Sequence, residues 1–486
     1  MTTEALSHEG MPTHAGDLSI EARGMEPIPA DARYGSLGRI FSVWFTPNLV
    51  PAGFFIGTLA AADFLKIGFV TGLLAILVGN LIGSVVVGLL GTMGPATGMA
   101  QMPLARLAYG KSIVLPGLLN WLSCIGWDGI NSVFGAAALS LLTGLPFVVS
   151  LVILVICQAI LGIIGYEAIH TFEKYMAVAL GAMFVVLSVA IAGQAATGRT
   201  DGFVGLDQLG AFVLFSTICA SFVLAWSLYA SDYSRYLPAT TSRFGIFWVT
   251  VLALTLSAGW IEVLGLLVAD KVASSSVDTI RTVIGGGLIG GLAMIAIALG
   301  TIAVNALNDY TGSLSLQAAG ARVPRVLSAL IVAALGFGFT LYLNAGDFTA
   351  KFESYLLFIS YWIAPWAAVV LVDWWQRRGP LDTARLLRFA GLPSGALALL
   401  SLLVGFVVSL PFQQSAFGAQ LHKTTGLPIN VISDNYLHFA DLAYVVGFVV
   451  AALVYWIGSR LGGRAEANLP VDATVEANRQ GSAPAR

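Results

Sequence analysis

Two aromatic and amide groupings stand out in a 486-residue chain whose side chains are otherwise mostly apolar. In NWLSCIGWDGINSVFG, Trp127 and Asn131 are four residues apart and therefore share one face of a helix. An indole offers a flat stacking surface, and a carboxamide offers a donor and an acceptor to the hydrogen-bonding edge of a ring. That chemistry suits a grip on a planar, uncharged heterocycle. The alternative is a tryptophan packed between helices beside an asparagine that bonds a neighbouring helix. The stretch FVLAWSLYASDYSRYLP supplies a second indole, Trp226, either the opposite face of an aromatic sandwich or an aromatic near a helix end, where tryptophan and tyrosine favour the membrane interface. In GTIAVNALNDYTGSLSLQ, Asn305 and Asn308 lie three apart on one face, and Asp309 lies four beyond Asn305. At the end of an apolar stretch these are either a site or a helix terminus reaching water.

The elements that must position these groups are membrane spans. Hydrophobic residues make up 57% of the chain and charged residues 10%, against roughly 25% charged in soluble domains, and the mean hydropathy is +0.85. Composition therefore predicts an all-α polytopic membrane protein. A net charge of -2 with scattered basic residues gives nucleic acid no binding face. Cys124, Cys157 and Cys219 are isolated in apolar segments without metal-ligand or pairing spacing, so no metal site is expected.

Twelve apolar segments follow one another at roughly 41–64, 67–92, 113–143, 148–165, 171–193, 209–231, 245–269, 283–307, 325–344, 352–375, 391–411 and 439–459. The first, FSVWFTPNLVPAGFFIGTLAAADF, is interrupted: Pro47, Asn48, Pro51 and Gly53 break a helix. Inside lipid a broken span is tolerated where its freed backbone lines a cavity, which makes the break a pointer to a binding site. A proline kink re-satisfied by neighbouring helices is the other reading. An N-terminus in the cytoplasm gathers Arg33, Arg39, Arg106, Lys111, Arg377, Arg378, Arg385 and Arg388, among others, on the inner side. It leaves Lys66, Arg199, Lys271, Arg281, Lys351 and Lys423 outside. The expected organisation is a flexible cytoplasmic tail over 1–39, a transmembrane domain over 40–461 and a flexible cytoplasmic tail over 462–486. The connection from Gln413 to Tyr436 reads as a loop or a short re-entrant piece.

Taken together and in order, WFTPNLVPAGFFIG, GWDGINS, WSLYASDYSRYLP, NALNDYTGSLSLQ and SYWIAPWAAVVLVDWW resemble the nucleobase:cation symporter family, the purine-cytosine permease group. The resemblance covers about Tyr34 to Gly462. It implies a leucine-transporter-type fold of twelve transmembrane helices, with spans 1–5 and 6–10 as inverted repeats and two peripheral helices after them. It also implies a substrate held between the first, third, sixth and eighth spans. By this resemblance Trp127 and Trp226 are the stacking indoles, and Asn131 meets the substrate edge. Asn305 or Asn308 is the eighth-span amide, and Ala52 and Gly53 bring first-span backbone to the ligand.

The resemblance leaves two open points. No glycine or proline surrounds Trp226, so local sequence does not predict an unwound sixth span. Sodium-coupled relatives carry adjacent hydroxyl side chains before the eighth-span asparagine, where this chain, if Asn305 is that asparagine, has Leu299 and Gly300, with Thr301 adjacent. That favours a co-transported proton over sodium. A proton-coupled carrier needs a titratable group within the membrane, and burial favours the neutral form of a carboxylic acid; Asp128 and Glu262 are the candidates, each with a purely structural alternative.

The expected function is a plasma-membrane carrier importing a nucleobase, cytosine or a purine, by alternating access. It needs no cofactor and no obligatory protein partner, only substrate and bilayer. Hydantoin, allantoin, thiamine or pyridoxine-like compounds are the rival substrates. A channel or a membrane-embedded enzyme is the alternative from another class. The spans hold no histidine or cysteine cluster for catalysis.

Overall fold

The computed structural model describes residues 25–164, 166–271, 276–321, 323–377, 381 and 383–461. Residues 1–24 and 462–486, where the tails are expected, lie outside the described residues. Residues 25–39 of the expected N-terminal tail lie against the body. The Ile28 amide donates to the Gly98 carbonyl at 2.9 Å, and Arg33 Nη1 donates to the Pro95 carbonyl at 2.6 Å.

Every regular element among the described residues is a helix. Nine of these helices are long and apolar enough to cross a membrane, or eleven if each of two bent pairs forms one span. Phe147–Leu161, at the fourth apolar segment, is a shorter apolar helix. Spans are numbered below by the apolar segments of the sequence.

The first span is broken as its prolines predict. Leu37–Phe45 tightens into a 3-10 turn at Thr46–Asn48, and the helix resumes as Pro51–Thr58. The two parts meet at 62°. Val50 is extended, with φ -130° and ψ 150°, as a residue before proline is forced to be. Pro51 then starts the second part at the position where its missing amide costs least.

The sixth span changes geometry as well, without a glycine or a proline at the change. Gly205–Leu224 is α-helical, Ala225–Tyr229 is 3-10, and Ala230–Ser234 is α-helical again. Trp226 sits within the 3-10 turn. The first and sixth spans are thus irregular at matching places in the two halves.

The third and eighth spans are unbroken, Val114–Thr143 and Gly287–Ala318. The eighth runs well past Leu307, where its apolar segment ends. Asn305, Asn308 and Asp309 therefore lie inside a buried helix, not at a terminus reaching water. The polar letters after Leu307 do not stop the helix because their side chains bond back along it: Ser313 Oγ donates to the Tyr310 carbonyl at 2.6 Å and Ser315 Oγ to the Thr311 carbonyl at 3.0 Å.

Close packing holds the broken span in place. The half after the break crosses the seventh span, Arg243–Leu267, almost backbone to backbone. A Cβ on Gly57 would lie 1.8 Å from the Glu262 carbonyl oxygen, and one on Gly265 would lie 2.0 Å from that of Phe54. Small residues permit such approaches between membrane helices. The eleventh and twelfth spans, Ala396–Ser409 and Ala443–Arg460, pack against each other and against the tenth, Phe348–Gln376, outside the first ten. The Gln413–Tyr436 connection contains two short helices, Ala416–Thr425 and Val431–Tyr436.

Candidate functional site

The break in the first span opens onto a small cavity between the first, third, sixth and eighth spans. The first span contributes Pro47 and Val50, and the third Trp127 and Asn131. The sixth adds Phe222, Ala225, Trp226 and Tyr229, and the eighth Val304 and Asn308. None of these side chains carries a charge. Four of the residues singled out in the sequence, Trp127, Asn131, Trp226 and Asn308, therefore meet at one place.

Neighbouring side chains fix the two indoles. Trp127 is met edge-on by Phe222, with ring centroids 5.8 Å apart, and by Tyr355 of the tenth span at 5.5 Å. Tyr355 is anchored by its hydroxyl, which donates to the Ser123 carbonyl at 2.8 Å. It reaches Trp127 because residue 126 is glycine; a Cβ there would stand 2.2 Å from the tyrosine ring. Trp226 Nε1 donates to Asn48 Oδ1 at 2.9 Å. Asn48 in turn donates to the Trp44 carbonyl at 2.9 Å and to Ser257 Oγ at 3.0 Å. This one buried amide joins the break of the first span to the sixth and seventh spans.

The amide positions divide into two roles. Asn131 and Asn308 line the cavity, whereas Asn305 is completely buried behind it. Asn131 Nδ2 donates to Asn305 Oδ1 at 3.1 Å. Asn305 Nδ2 is shared among the Asp128 carbonyl at 3.1 Å, Ser132 Oγ at 3.0 Å and Gln158 Oε1 at 3.2 Å. Asn305 thus orients Asn131 and does not itself face the cavity. Since Asn131 Nδ2 is engaged, its Oδ1 is the atom left to accept from a ring N–H.

Ala52 and Gly53 do not line the cavity. They belong to the resumed helix, two and three residues beyond Val50, and a Cβ on Gly53 would contact Ile261 of the seventh span. Pro47 and Val50 line the cavity from the first span instead. The proline-forced extension at Val50 turns the chain before Ala52 is reached.

The two acids are also set back from the cavity. Asp128, beside Trp127 in sequence, points to the other side of the third span, where Gln158 Nε2 donates to its Oδ1 at 2.6 Å. Glu262 is buried between the second, sixth and seventh spans, accepting from Asn80 Nδ2. Thr301 Oγ1 donates to the Asn131 carbonyl at 3.4 Å, and Gly300 packs under the Leu180 side chain.

Aromatic clusters flank the cavity along the first span. Before the break, Trp44 meets Trp226 at 6.0 Å and Tyr233 at 5.1 Å. After it, Phe55 meets Phe134 at 6.1 Å and Phe348 and Phe352 at 5.2 Å each. Sequence reasoning missed Phe222, Tyr229 and Val304, which read as ordinary apolar residues. It used Asn48 only as a helix breaker, although an asparagine among apolar residues was itself a signal.

Comparison with known proteins agrees with this architecture. A family model described as permease for cytosine/purines, uracil, thiamine, allantoin matches residues 27–447. The purine-cytosine permease fcyB of Emericella nidulans is 29% identical over 74% of this chain and 74% of its own length. The putative purine-cytosine permease YxlA of Bacillus subtilis is 26% identical over 90% and 96%. Mhp1, a nucleobase-cation-symport-1 family transporter solved in a closed conformation with bromovinylhydantoin bound, superposes with a TM-score of 0.72. That match is 18% identical and covers 94% of this chain and 99% of Mhp1. The fold is therefore of the leucine-transporter type, and the relatives are permeases, not enzymes. With the family model matching most of its length, the chain belongs to the family of permeases for cytosine, purines, uracil, thiamine and allantoin.

Proposed function

We propose that this permease imports a nucleobase, cytosine or a purine, together with a proton, by alternating access across the plasma membrane, with both termini in the cytoplasm. The carrying observation is the cavity wall: two indoles, two amides and no charged side chain. A neutral planar ring loses little on leaving water for such a wall, and it regains hydrogen bonds at Asn131 and Asn308. Thiamine carries a fixed positive charge and would enter a wall without a carboxylate, which makes it the weaker fit. Allantoin and hydantoins keep the amide edge but offer a smaller or non-aromatic face to two indoles. For the cation, the side chains at 299 and 300 bring no hydroxyl oxygen, and the Thr301 hydroxyl proton is turned to a backbone carbonyl. Asp128 and Glu262 remain the titratable candidates.

The test is uptake of radiolabelled cytosine, adenine, hypoxanthine and uracil in cells lacking their own carriers, with pH, sodium and a protonophore varied. One or more bases accumulating, insensitive to sodium and collapsing with the protonophore, is the expected result. Sodium dependence would overturn the proton reading. Uptake confined to allantoin or hydantoins would overturn the substrate.

A further inference from the structure

Behind the cavity, two carboxyl groups share one amide. Gln158 Nε2 donates to Asp128 Oδ1 at 2.6 Å and to Asp309 Oδ2 at 3.1 Å, so acids take both of its hydrogens. Asp128 and Gln158 are fully buried and Asp309 is 1% exposed. Asp128 Oδ2 and Asp309 Oδ1 have no hydrogen-bond partner. On the ninth span, Arg325–Asn344, Gly336 faces the first of these oxygens; a Cβ there would stand 1.9 Å from it.

The surroundings supply no countercharge. No cationic side chain among the described residues acts on either carboxyl. Toward the acids the fourth span presents Gln158 and the ninth Gly336, with the Thr340 hydroxyl nearby bonded to the Gly129 and Gly336 carbonyls. The next titratable groups are Cys124, one turn before Asp128, and Tyr229, which bond each other. Two ionised carboxylates on one nitrogen, unscreened by water, repel strongly, and such a pair titrates as a unit that passes between one charge and none or two.

The pair is connected to the cavity. Gln158 Oε1 accepts from Asn305 Nδ2 at 3.2 Å, Asn305 Oδ1 accepts from Asn131 Nδ2 at 3.1 Å, and Asn131 lines the cavity. Acids that accept oblige Gln158 to donate to them. Each amide after it is then turned the same way, ending with Asn131 Oδ1 as the acceptor toward substrate.

We propose that Asp128 and Asp309, bridged by Gln158, are the site of the co-transported proton, and that the Asn305 and Asn131 amides link its occupancy to the substrate. This rests on the proton-symport reading and replaces a single coupling acid with a pair. A proton from the entry side adds to a carboxylate oxygen to give the carboxylic acid, and it leaves as a proton to the exit side. No other bond changes.

The experiment uses the full-length protein in proteoliposomes, with a radiolabelled base that the wild type takes up, cytosine first. Three quantities are measured: accumulation driven by a pH gradient, base-for-base exchange without a gradient, and base-driven acidification reported by trapped pyranine. Asp128→Asn and Asp309→Asn are expected to lose accumulation and acidification while exchange persists, with Asp309→Glu regaining part of both. Gln158→Leu tests the bridge and is expected to lose coupling in the same way. Retained gradient-driven accumulation in both asparagine variants would overturn the assignment. Loss of exchange alongside accumulation in all three variants would also overturn it, because the groups would then serve folding or substrate binding. A wild type that accumulates base without acidification would overturn the symport reading itself, a result read from the wild type alone.

Discussion

Replacing Trp127 by alanine tests the substrate reading at its strongest point. The indole forms one wall of the cavity and is held by edge contacts from Phe222 and Tyr355, at 5.8 and 5.5 Å between ring centroids. Stacking of a base on an aromatic side chain is worth about 1–3 kcal/mol by alanine substitution. That corresponds to roughly 5- to 150-fold in affinity. Trp127→Phe keeps a face on the same side and should lose only the lower part of that range. The assay is equilibrium binding of the radiolabelled base to purified protein, with uptake measured in parallel and membrane levels checked for each variant. A protein that reaches the membrane, binds with wild-type affinity as Trp127→Ala and still transports would remove the indole from the site. Equal losses in the phenylalanine and alanine variants would mean that the residue acts through packing, not through its face.

Other perturbations test the remaining parts. Asn131→Ala takes away the acceptor at the substrate edge and should cost about 1–3 kcal/mol for a base whose N–H is left unpaired. Competition by bases differing at that edge should change more than expression does, and an unchanged competition profile would refute the role. Glu262→Gln keeps the bond to Asn80 within reach but cannot titrate; if Glu262 couples, accumulation should become insensitive to external pH, and a wild-type pH response would clear it. Asn48→Ala deprives Trp226 Nε1 of its acceptor and the Trp44 carbonyl of its donor, so base affinity should fall by about 1 kcal/mol or more per bond lost; binding measurements decide it. Gly57→Ala places a methyl 1.8 Å from a backbone oxygen and should cost about 1–3 kcal/mol as overpacking, read as a lower melting temperature in detergent.

Much of the site was legible because its residues contradict their surroundings. Pro47, Asn48 and Pro51 have no reason to sit in a membrane span unless the span breaks, and it does. Trp127 and Asn131 lie on one helix face by spacing alone, and the cavity lies on that face. The eighth span was read less well. Hydropathy falls after Leu307 because of Asn308, Asp309 and the serines beyond them, yet the helix continues, since the serines bond backward along it or across to the third span and Asp309 accepts from Gln158 of the fourth. Asn120 Nδ2 to Ser315 Oγ, at 2.7 Å, is one such crossing bond. A hydropathy window counts these letters as water-facing, whereas their partners lie far away in sequence.

The sixth span sets the limit of what local sequence can report. The first span breaks by covalent means, since proline lacks an amide hydrogen. The sixth does not: Ala225, Trp226, Ser227, Leu228 and Tyr229 could all continue an α-helix, yet they form a 3-10 turn. The cause must be tertiary, and the contact that fits is Trp226 Nε1 on Asn48 Oδ1, which pulls the indole toward the break of the first span. Asn48 can offer that oxygen because it sits at the proline break, beside the sixth span, while its amide hydrogens stay engaged with Trp44 and Ser257. One buried hydrogen bond thus ties the irregular turn of the sixth span to the break of the first. A change at Asn48 should therefore disturb both halves of the carrier, whereas Ser227→Ala, which removes a buried hydroxyl that makes no hydrogen bond, should disturb neither.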